Sequence, residues 1–81
     1  MKNYILGKKY EFETNEGWMA DIFVQVLELF HIEIEDAYIP SFLEYSQIEF
    51  RATKKQFNQI DYVFERYLKE LGRRKAYYAL Y

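Results

Sequence analysis

Apolar residues recur at helical spacing between positions 53 and 72, more regularly than elsewhere in the chain. They form one stripe, while charged and amide side chains occupy the opposite side of the helix. The stripe consists of Phe57, Ile60, Phe64, Tyr67, Leu68 and Leu71. Thr53 followed three residues later by Gln56 is a capping-box pattern, and Gly72 stands where a left-handed residue ends a helix. The pattern predicts an amphipathic helix that lies on a flat apolar layer.

Alternation of apolar and polar residues predicts strands in three other segments, residues 10–14, 31–39 and 46–53. In each segment, aromatic or aliphatic side chains share one face and glutamates point to the other. Pro40 ends the pairing of the second strand or marks it as an edge strand, because proline has no N–H to donate. The composition of residues 76–81 predicts a last short strand. A frayed helical end is the alternative.

Another helix is predicted at residues 18–30, with Asn15 as its N-cap. Its apolar residues cover more than half of the circumference, so we expect it to be more deeply buried than the helix at 53–72. His31 lies where this helix ends, and an imidazolium there is favoured by the helix dipole. Roles for His31 as a metal ligand or a general base are the alternatives.

The predicted order of elements is strand, helix, strand, strand, helix, strand. This order favours an α+β two-layer sandwich of the ferredoxin-like βαββαβ type, with two helices on one face of an antiparallel sheet. If residues 4–6 form a further strand, the chain would instead consist of two strand-strand-helix units and a tail. Residues 1–81 are expected to form a single domain, since this length suffices for one core.

Composition narrows the classes of function. Aromatic residues make up 21% of the chain, which lets a small core bury much surface. There is no cysteine, so disulfides and thiolate metal sites are excluded and a soluble, cytoplasmic protein is expected. No apolar run resembles a membrane span or a signal peptide. With one histidine, no cysteine and no phosphate-binding glycine motif, the sequence favours a non-enzymatic protein without cofactor or metal.

Charge is distributed unevenly along the chain. Through Glu49 there are ten acidic residues against three basic ones, whereas the remainder has eight basic against three acidic. If the alternation is correct, one face of the sheet carries Glu11, Glu13, Glu33, Glu35 and Glu49. The simplest interpretation is a solvent-exposed face on which lysine and arginine of neighbouring strands pair with the glutamates and reduce their repulsion. A surface that engages a basic partner is the functional alternative, and a carboxylate-lined metal site is a third.

Residues 40–45 form a loop of unusually apolar composition. Phe42, Leu43 and Tyr45 have no evident place in a core already served by two helices. An exposed aromatic cluster usually marks a contact surface, so we expect these three residues to bind a partner. The structural alternative is that the loop folds back over the edge of the sheet.

A basic segment rich in tyrosine follows the second helix. It contains Arg73, Arg74, Lys75, Tyr77 and Tyr78. Positive charge beside aromatic rings suits single-stranded nucleic acid, whereas the simplest role of the three cations is to complement a helix C-terminus. RNA binding on the sheet itself, as in RNA-recognition motifs, is disfavoured because the outward glutamates would repel phosphate.

The sequence therefore predicts a small protein-interaction domain that docks its acidic face and the 40–45 loop on a basic protein surface. In size, in the acidity of one face and in its lack of motifs, the chain resembles small phage and mobile-element proteins that block host defence nucleases, including anti-CRISPR proteins. That resemblance implies an inhibitor acting by phosphate mimicry. The alternative is nucleic-acid binding by the basic segment, and a homodimer through an uncovered sheet edge is compatible with both.

Overall fold

The computed structural model describes residues 7–72 and 78–81. Its elements are β1 (Lys8–Thr14), α1 (Gly17–Leu29), β2 (Ile34–Tyr38), β3 (Ser46–Ala52), α2 (Lys54–Glu70) and β4 (Tyr78–Leu80). The predicted α+β class is confirmed, with a four-stranded antiparallel sheet and two helices. The further strand considered at residues 4–6 lies outside the described residues. No helix in the described ranges combines the length and the apolar character that crossing a membrane requires.

The four strands lie in the order β2-β3-β1-β4, so β1 and β3 are central and β2 and β4 are edges. β1 pairs with β3 from Lys8 opposite Ala52 to Thr14 opposite Ser46. All three strand pairings are antiparallel. α1 therefore connects β1 to β2, which run parallel to each other with β3 between them. In the same way, α2 connects β3 to β4, which run parallel with β1 between them.

Three phenylalanine rings, one each from β1, α1 and α2, form the centre of the core. The ring centroids of Phe12 and Phe23 are 4.1 Å apart and stacked. Phe64 meets both rings edge-on, with centroid distances of 5.4 Å and 5.1 Å. Since Phe23 and Phe64 reach the same side of β1, both helices cover one face of the sheet. The arrangement is compatible with a two-layer sandwich, and neither described helix covers the other face of the sheet.

Burial alternates along the two central strands as the sequence predicts. The buried residues are Tyr10, Phe12 and Thr14 in β1 and Ser46, Ile48, Phe50 and Ala52 in β3. Side chains in a strand point alternately to opposite faces, so the residues between these positions lie on the face away from the helices. We call this face the outer face.

Both ends of α2 follow from the local sequence. The Gln56 N–H donates to Thr53 Oγ1 at 3.1 Å, and the Thr53 N–H donates to Gln56 Oε1 at 2.9 Å, which completes the predicted capping box. Gly72 has a φ of 81° and follows the last turn, as expected for a left-handed terminator. The apolar stripe is only partly buried, because Tyr67 and Leu71 keep 40% and 48% of their surface exposed.

The start of α1 differs from the prediction. The N-cap is Glu16, and Asn15 makes no cap. Thr14 Oγ1 accepts from the Glu16 N–H at 3.1 Å, and the Phe42 carbonyl accepts from the Trp18 N–H at 3.0 Å. Thr14 of β1 and the Phe42 carbonyl of a distant loop therefore accept hydrogen bonds from N–H groups at the start of α1, which an N-cap side chain would otherwise accept. The predicted deeper burial of α1 is confirmed, with six buried residues against three in α2.

The end of α1 explains the position of His31. Its φ is +55°, the left-handed conformation. The His31 N–H donates to the Glu28 carbonyl and the Ile32 N–H donates to the Leu27 carbonyl, each at 3.0 Å. These two bonds form a Schellman motif, in which glycine is the usual residue at the His31 position. His31 thus ends the helix, as its position in the sequence predicts.

The second strand is shorter than predicted and is irregular. β2 spans Ile34–Tyr38, so Glu33 precedes it. The pairing register with β3 shifts between Ile34 and Asp36, which leaves Glu35 as an extra residue in a bulge. The predicted alternation is therefore only partly right: Glu35 reaches Arg51 on the outer face, whereas Glu33 lies before the strand. Asp36 instead stands opposite Glu49.

Candidate functional site

Three carboxylates cross the outer face in one line. Glu11 of β1 lies opposite Glu49 of β3, and Asp36 of β2 lies opposite the same Glu49. Residues that are directly opposite in an antiparallel pair project to the same face. Asp36, Glu49 and Glu11 therefore follow one another across three adjacent strands, and we call them the carboxylate row.

Backbone pairing brings two members of the carboxylate row close together. Glu11 exchanges both backbone hydrogen bonds with Tyr81, whose N–H donates to the Glu11 carbonyl at 2.9 Å. The polar backbone groups of Glu11 thus point toward β4 and away from β3. Glu11 and Glu49 therefore form a non-hydrogen-bonded pair, in which Cα atoms are about 4.5 Å apart and side chains are closest. Like charges in such a pair destabilise the sheet.

Among the described residues, cations relieve the repulsion on the outer face only in part. Lys9 Nζ lies 3.5 Å from a Glu49 carboxylate oxygen, and Arg51 Nε lies 2.9 Å from Glu35 Oε2. Both pairs are substantially exposed, and exposed ion pairs contribute little to stability. Across residues 7–72 and 78–81, Glu11 and Asp36 have no cationic partner within ion-pairing distance.

Glu13 lies beside the carboxylate row, and in the described ranges its neighbours include tyrosines but no ion-pairing cation. It stands opposite Gln47 on β3 and opposite Ala79 on β4. Hydrogen bonding to the Glu13 carboxylate raises the pKa of Tyr81 to about 12. Partial burial and the charge of Glu13 also raise the pKa of Tyr45. Both phenols are therefore neutral donors near one carboxylate at physiological pH.

The other two predicted glutamates lie away from the carboxylate row. Glu33 and Glu35 line a recess with Arg51 and Gln56, near the start of α2. The Arg51 guanidinium neutralises Glu35 there. The structure thus brings Glu11, Glu13 and Glu49 together, and it adds Asp36, which sequence reasoning missed. Strand alternation carried no signal for Asp36, because the bulge shifts the register.

The apolar loop between β2 and β3 presents its side chains to solvent. Phe42, Leu43 and Tyr45 have 62%, 73% and 43% of their surface exposed. The structure therefore does not fold Phe42 and Leu43 back into the core. Tyr45 differs from the other two, since it lines a cleft together with Glu13 of the outer face. Through Tyr45, the loop is continuous with the acidic surface.

The loop backbone is held against the start of α1. The Trp18 N–H donates to the Phe42 carbonyl at 3.0 Å. A Cβ atom on Gly17 would lie only 1.8 Å from the Ser41 carbonyl oxygen, so this contact requires glycine. At the other end of the loop, Ser46 Oγ donates to the Glu44 carbonyl at 3.1 Å. The exposed apolar side chains thus project from a braced loop.

The basic segment receives little structural support as a stacking surface. Four of its residues lie outside the described residues, namely Arg73, Arg74, Lys75 and Tyr77. The Tyr78 ring packs against Phe12 and Phe64, with centroid distances of 5.5 Å and 5.0 Å. Its hydroxyl donates to Glu65 at 2.9 Å, and burial raises the pKa of Tyr78. Tyr78 is therefore a half-buried residue beside the core, contrary to its predicted role as an exposed platform.

No three histidine or acidic side chains converge as metal ligands in the part of the chain that the structure describes. No protein-family model matches the sequence, and a search of curated proteins finds no significant relative. The features of the described residues that bear on function are the carboxylate row, Glu13 with its neighbouring tyrosines, and the exposed loop.

Proposed function

We propose that this chain is a small non-enzymatic interaction protein that docks its outer face on a basic surface of another protein. The observation that carries the proposal is the carboxylate row, where Glu11 faces Glu49 at close range and has no cation of its own among the described residues. Such a pair weakens the sheet. Surface features that reduce stability are commonly retained for function, and a partner's cations would relieve this repulsion.

The surroundings of the carboxylate row support a protein partner. Tyrosine is enriched in interfaces and at their energetic hot spots. Tyr38, Tyr45 and Tyr81 are exposed by 60%, 43% and 56%, and Phe42 and Leu43 extend the apolar surface at the loop. Carboxylates beside exposed aromatic rings suit a surface rich in arginine and lysine.

The class of partner follows from the same charges. Basic protein surfaces frequently bind nucleic-acid phosphates. A protein that places carboxylates on such a surface would compete with the nucleic acid, so we propose an inhibitor acting by phosphate mimicry. The small phage and mobile-element inhibitors of defence nucleases provide the comparison, and the cytoplasm is the expected compartment. Homodimerisation through the edge of β2 or β4 stays a prediction.

We also infer the ferredoxin-like arrangement as the finer description of the fold. The strand order β2-β3-β1-β4 supports it, as does the way in which each helix joins two parallel strands across an antiparallel one. In this arrangement the helices cover one face and the other face remains available to a partner.

The experiment is a pull-down with the tagged chain from nuclease-treated lysate of the source cell. Three proteins are compared: the native chain, Glu11→Gln with Glu49→Gln, and the control Asp21→Asn with Glu28→Gln. The control removes the same charge from exposed positions on α1. We expect the native chain and the control to recover a basic nucleic-acid-binding protein, and the outer-face variant to lose it.

A second step tests inhibition. The recovered protein, once purified, should bind its nucleic acid more weakly when the native chain is added, and this effect should be absent with the outer-face variant. Recovery of the same proteins by all three chains would show that the carboxylate row has no role in docking. Docking without any loss of nucleic-acid binding would remove the phosphate-mimic part of the proposal.

A further inference from the structure

A cleft lies where β1 ends, next to Glu13. It has a volume of about 310 Å³ and is lined by Glu13, Thr14, Asn15, Tyr45, Tyr78 and Ala79. Sites for small ligands begin at about this volume, so the cleft has room for one side chain rather than for a large ligand. We call it the Glu13 cleft.

The Glu13 cleft exists because a small residue stands beside a charged one. Ala79 on β4 lies opposite Glu13 and has only a methyl group to fill the space next to the carboxylate. Tyr45, from the loop before β3, lines the cleft beside Glu13. Tyr81 lies two residues after Ala79 and therefore projects to the same outer face. The result is a carboxylate with an open side, bordered by phenol groups.

The chemistry of the Glu13 cleft is that of a cation site. A carboxylate has about four lone-pair positions, so even a hydrogen bond from each neighbouring phenol would leave acceptor capacity for a further donor. Within the described ranges, no lysine or arginine nitrogen lies within ion-pairing distance of Glu13. Tyrosine faces attract cations in addition to the carboxylate.

We propose that the Glu13 cleft binds the guanidinium group of one arginine side chain of the partner. A guanidinium is planar, donates in a fork that matches a carboxylate, and stacks on an aromatic face. An ammonium group can satisfy the charge but lacks the plane that would stack on Tyr45. An anion is excluded by Glu13 itself. This assignment deepens the proposed function, on which it rests, by naming the residue type that anchors the partner.

The test is an NMR titration of the isotope-labelled full chain with N-acetylarginine amide. Two matched probes accompany it: N-acetylcitrulline amide, which is nearly isosteric but neutral, and N-acetyllysine amide, which is charged but not planar. Two variants alter the cleft, Glu13→Gln and Ala79→Leu. Ala79 is exposed, so leucine fills the cleft without entering the core. Glu35→Gln, at the other end of the outer face, is the control.

We expect saturable shift changes at Glu13, Tyr45 and Ala79 with the arginine probe, and at least about tenfold weaker binding of the citrulline probe. Both cleft variants should lose the response, and Glu35→Gln should keep it. Equal binding of citrulline or lysine would overturn the guanidinium assignment. Absence of saturable shifts, or an unchanged response in Ala79→Leu, would overturn the site itself.

Failure of this inference can be told apart from failure of the proposed function. If Ala79→Leu captures the basic partner as well as the native chain does, the arginine anchor is wrong while docking through the carboxylate row stands. If the cleft binds the arginine probe but the Glu11 and Glu49 variant captures the same proteins as the native chain, the site stands and the proposed docking face is wrong.

Discussion

Replacing Glu11 by glutamine should make the protein more stable. The change keeps the shape of the side chain and removes one charge from the carboxylate row. Glu11 lies opposite Glu49 in a non-hydrogen-bonded pair, and it has no compensating cation in the described part of the chain. A neutral residue at this position removes a repulsion and breaks no ion pair of the described residues, whereas the same change at Glu49 would also remove its contact with Lys9.

The magnitude follows from the geometry. Two unit charges about 5 Å apart in a water-like dielectric repel by about 0.8 kcal/mol, and measured cross-strand pairs contribute about 0.2–1 kcal/mol. Both side chains are partly exposed, so the water-like value applies. For a domain of this size, 1 kcal/mol shifts the melting temperature by about 4–8 °C. We therefore expect Glu11→Gln to melt about 1–8 °C above the native chain.

Thermal unfolding at low salt and at about 1 M salt separates this effect from other causes, because the screening length falls to about 3 Å at the higher concentration. The gain should be present at low salt and largely lost at high salt. Glu44→Gln, at an exposed loop position, is the matched control and should change little. An unchanged or lower melting temperature of Glu11→Gln at low salt would refute the reasoning, as would a gain that persists at high salt.

Three further predictions concern the backbone and the Glu13 cleft. His31→Gly should raise the free energy of unfolding in urea by about 0.5–1 kcal/mol, and Gly72→Ala should lower it by a similar amount. Both residues have a left-handed φ, which favours glycine. Changes of the same sign in the two variants would contradict this reasoning. Gly17→Ala should lose about 1–3 kcal/mol, because its Cβ meets the loop carbonyl, and an unchanged urea midpoint would contradict that contact. Tyr81 should titrate near pH 12 in an ultraviolet absorbance titration and move toward 10.0 in Glu13→Gln. The contribution of the Tyr81 phenol to stability is complete below pH 10 and is lost as the pH rises toward 12. Identical titration curves of the native chain and Glu13→Gln would contradict a hydrogen bond between Tyr81 and Glu13.

The sequence correctly predicted those features that depend on residues only a few positions apart in the chain. The capping box of Thr53 and Gln56 and the terminator Gly72 are both confirmed, because each depends only on its own helix end. Alternation in the two central strands predicted that Glu11, Glu13 and Glu49 lie on the face away from the helices, since a strand buried on one side permits one register.

The errors arose where distant segments meet. The start of α1 needed no Asn15 cap, because the Phe42 carbonyl accepts one of its N–H groups. Asp36 replaced the expected glutamates beside Glu49, because a bulge in an edge strand changes the register without a clear mark in the sequence. Tyr78 turned toward Glu65, because β4 pairs with β1 above α2.

The sequence by itself determined the class of the fold, the helix ends of α2 and the acidity of the outer face, because these depend on periodicity and on capping over short distances. The tertiary structure alone decided which charges become neighbours. Strand order and register placed Asp36 and Glu11 on either side of Glu49, and the pairing of Ala79 with Glu13 opened the cleft. Contacts of this kind join residues that are far apart in sequence, and only the packing of strands against one another selects them.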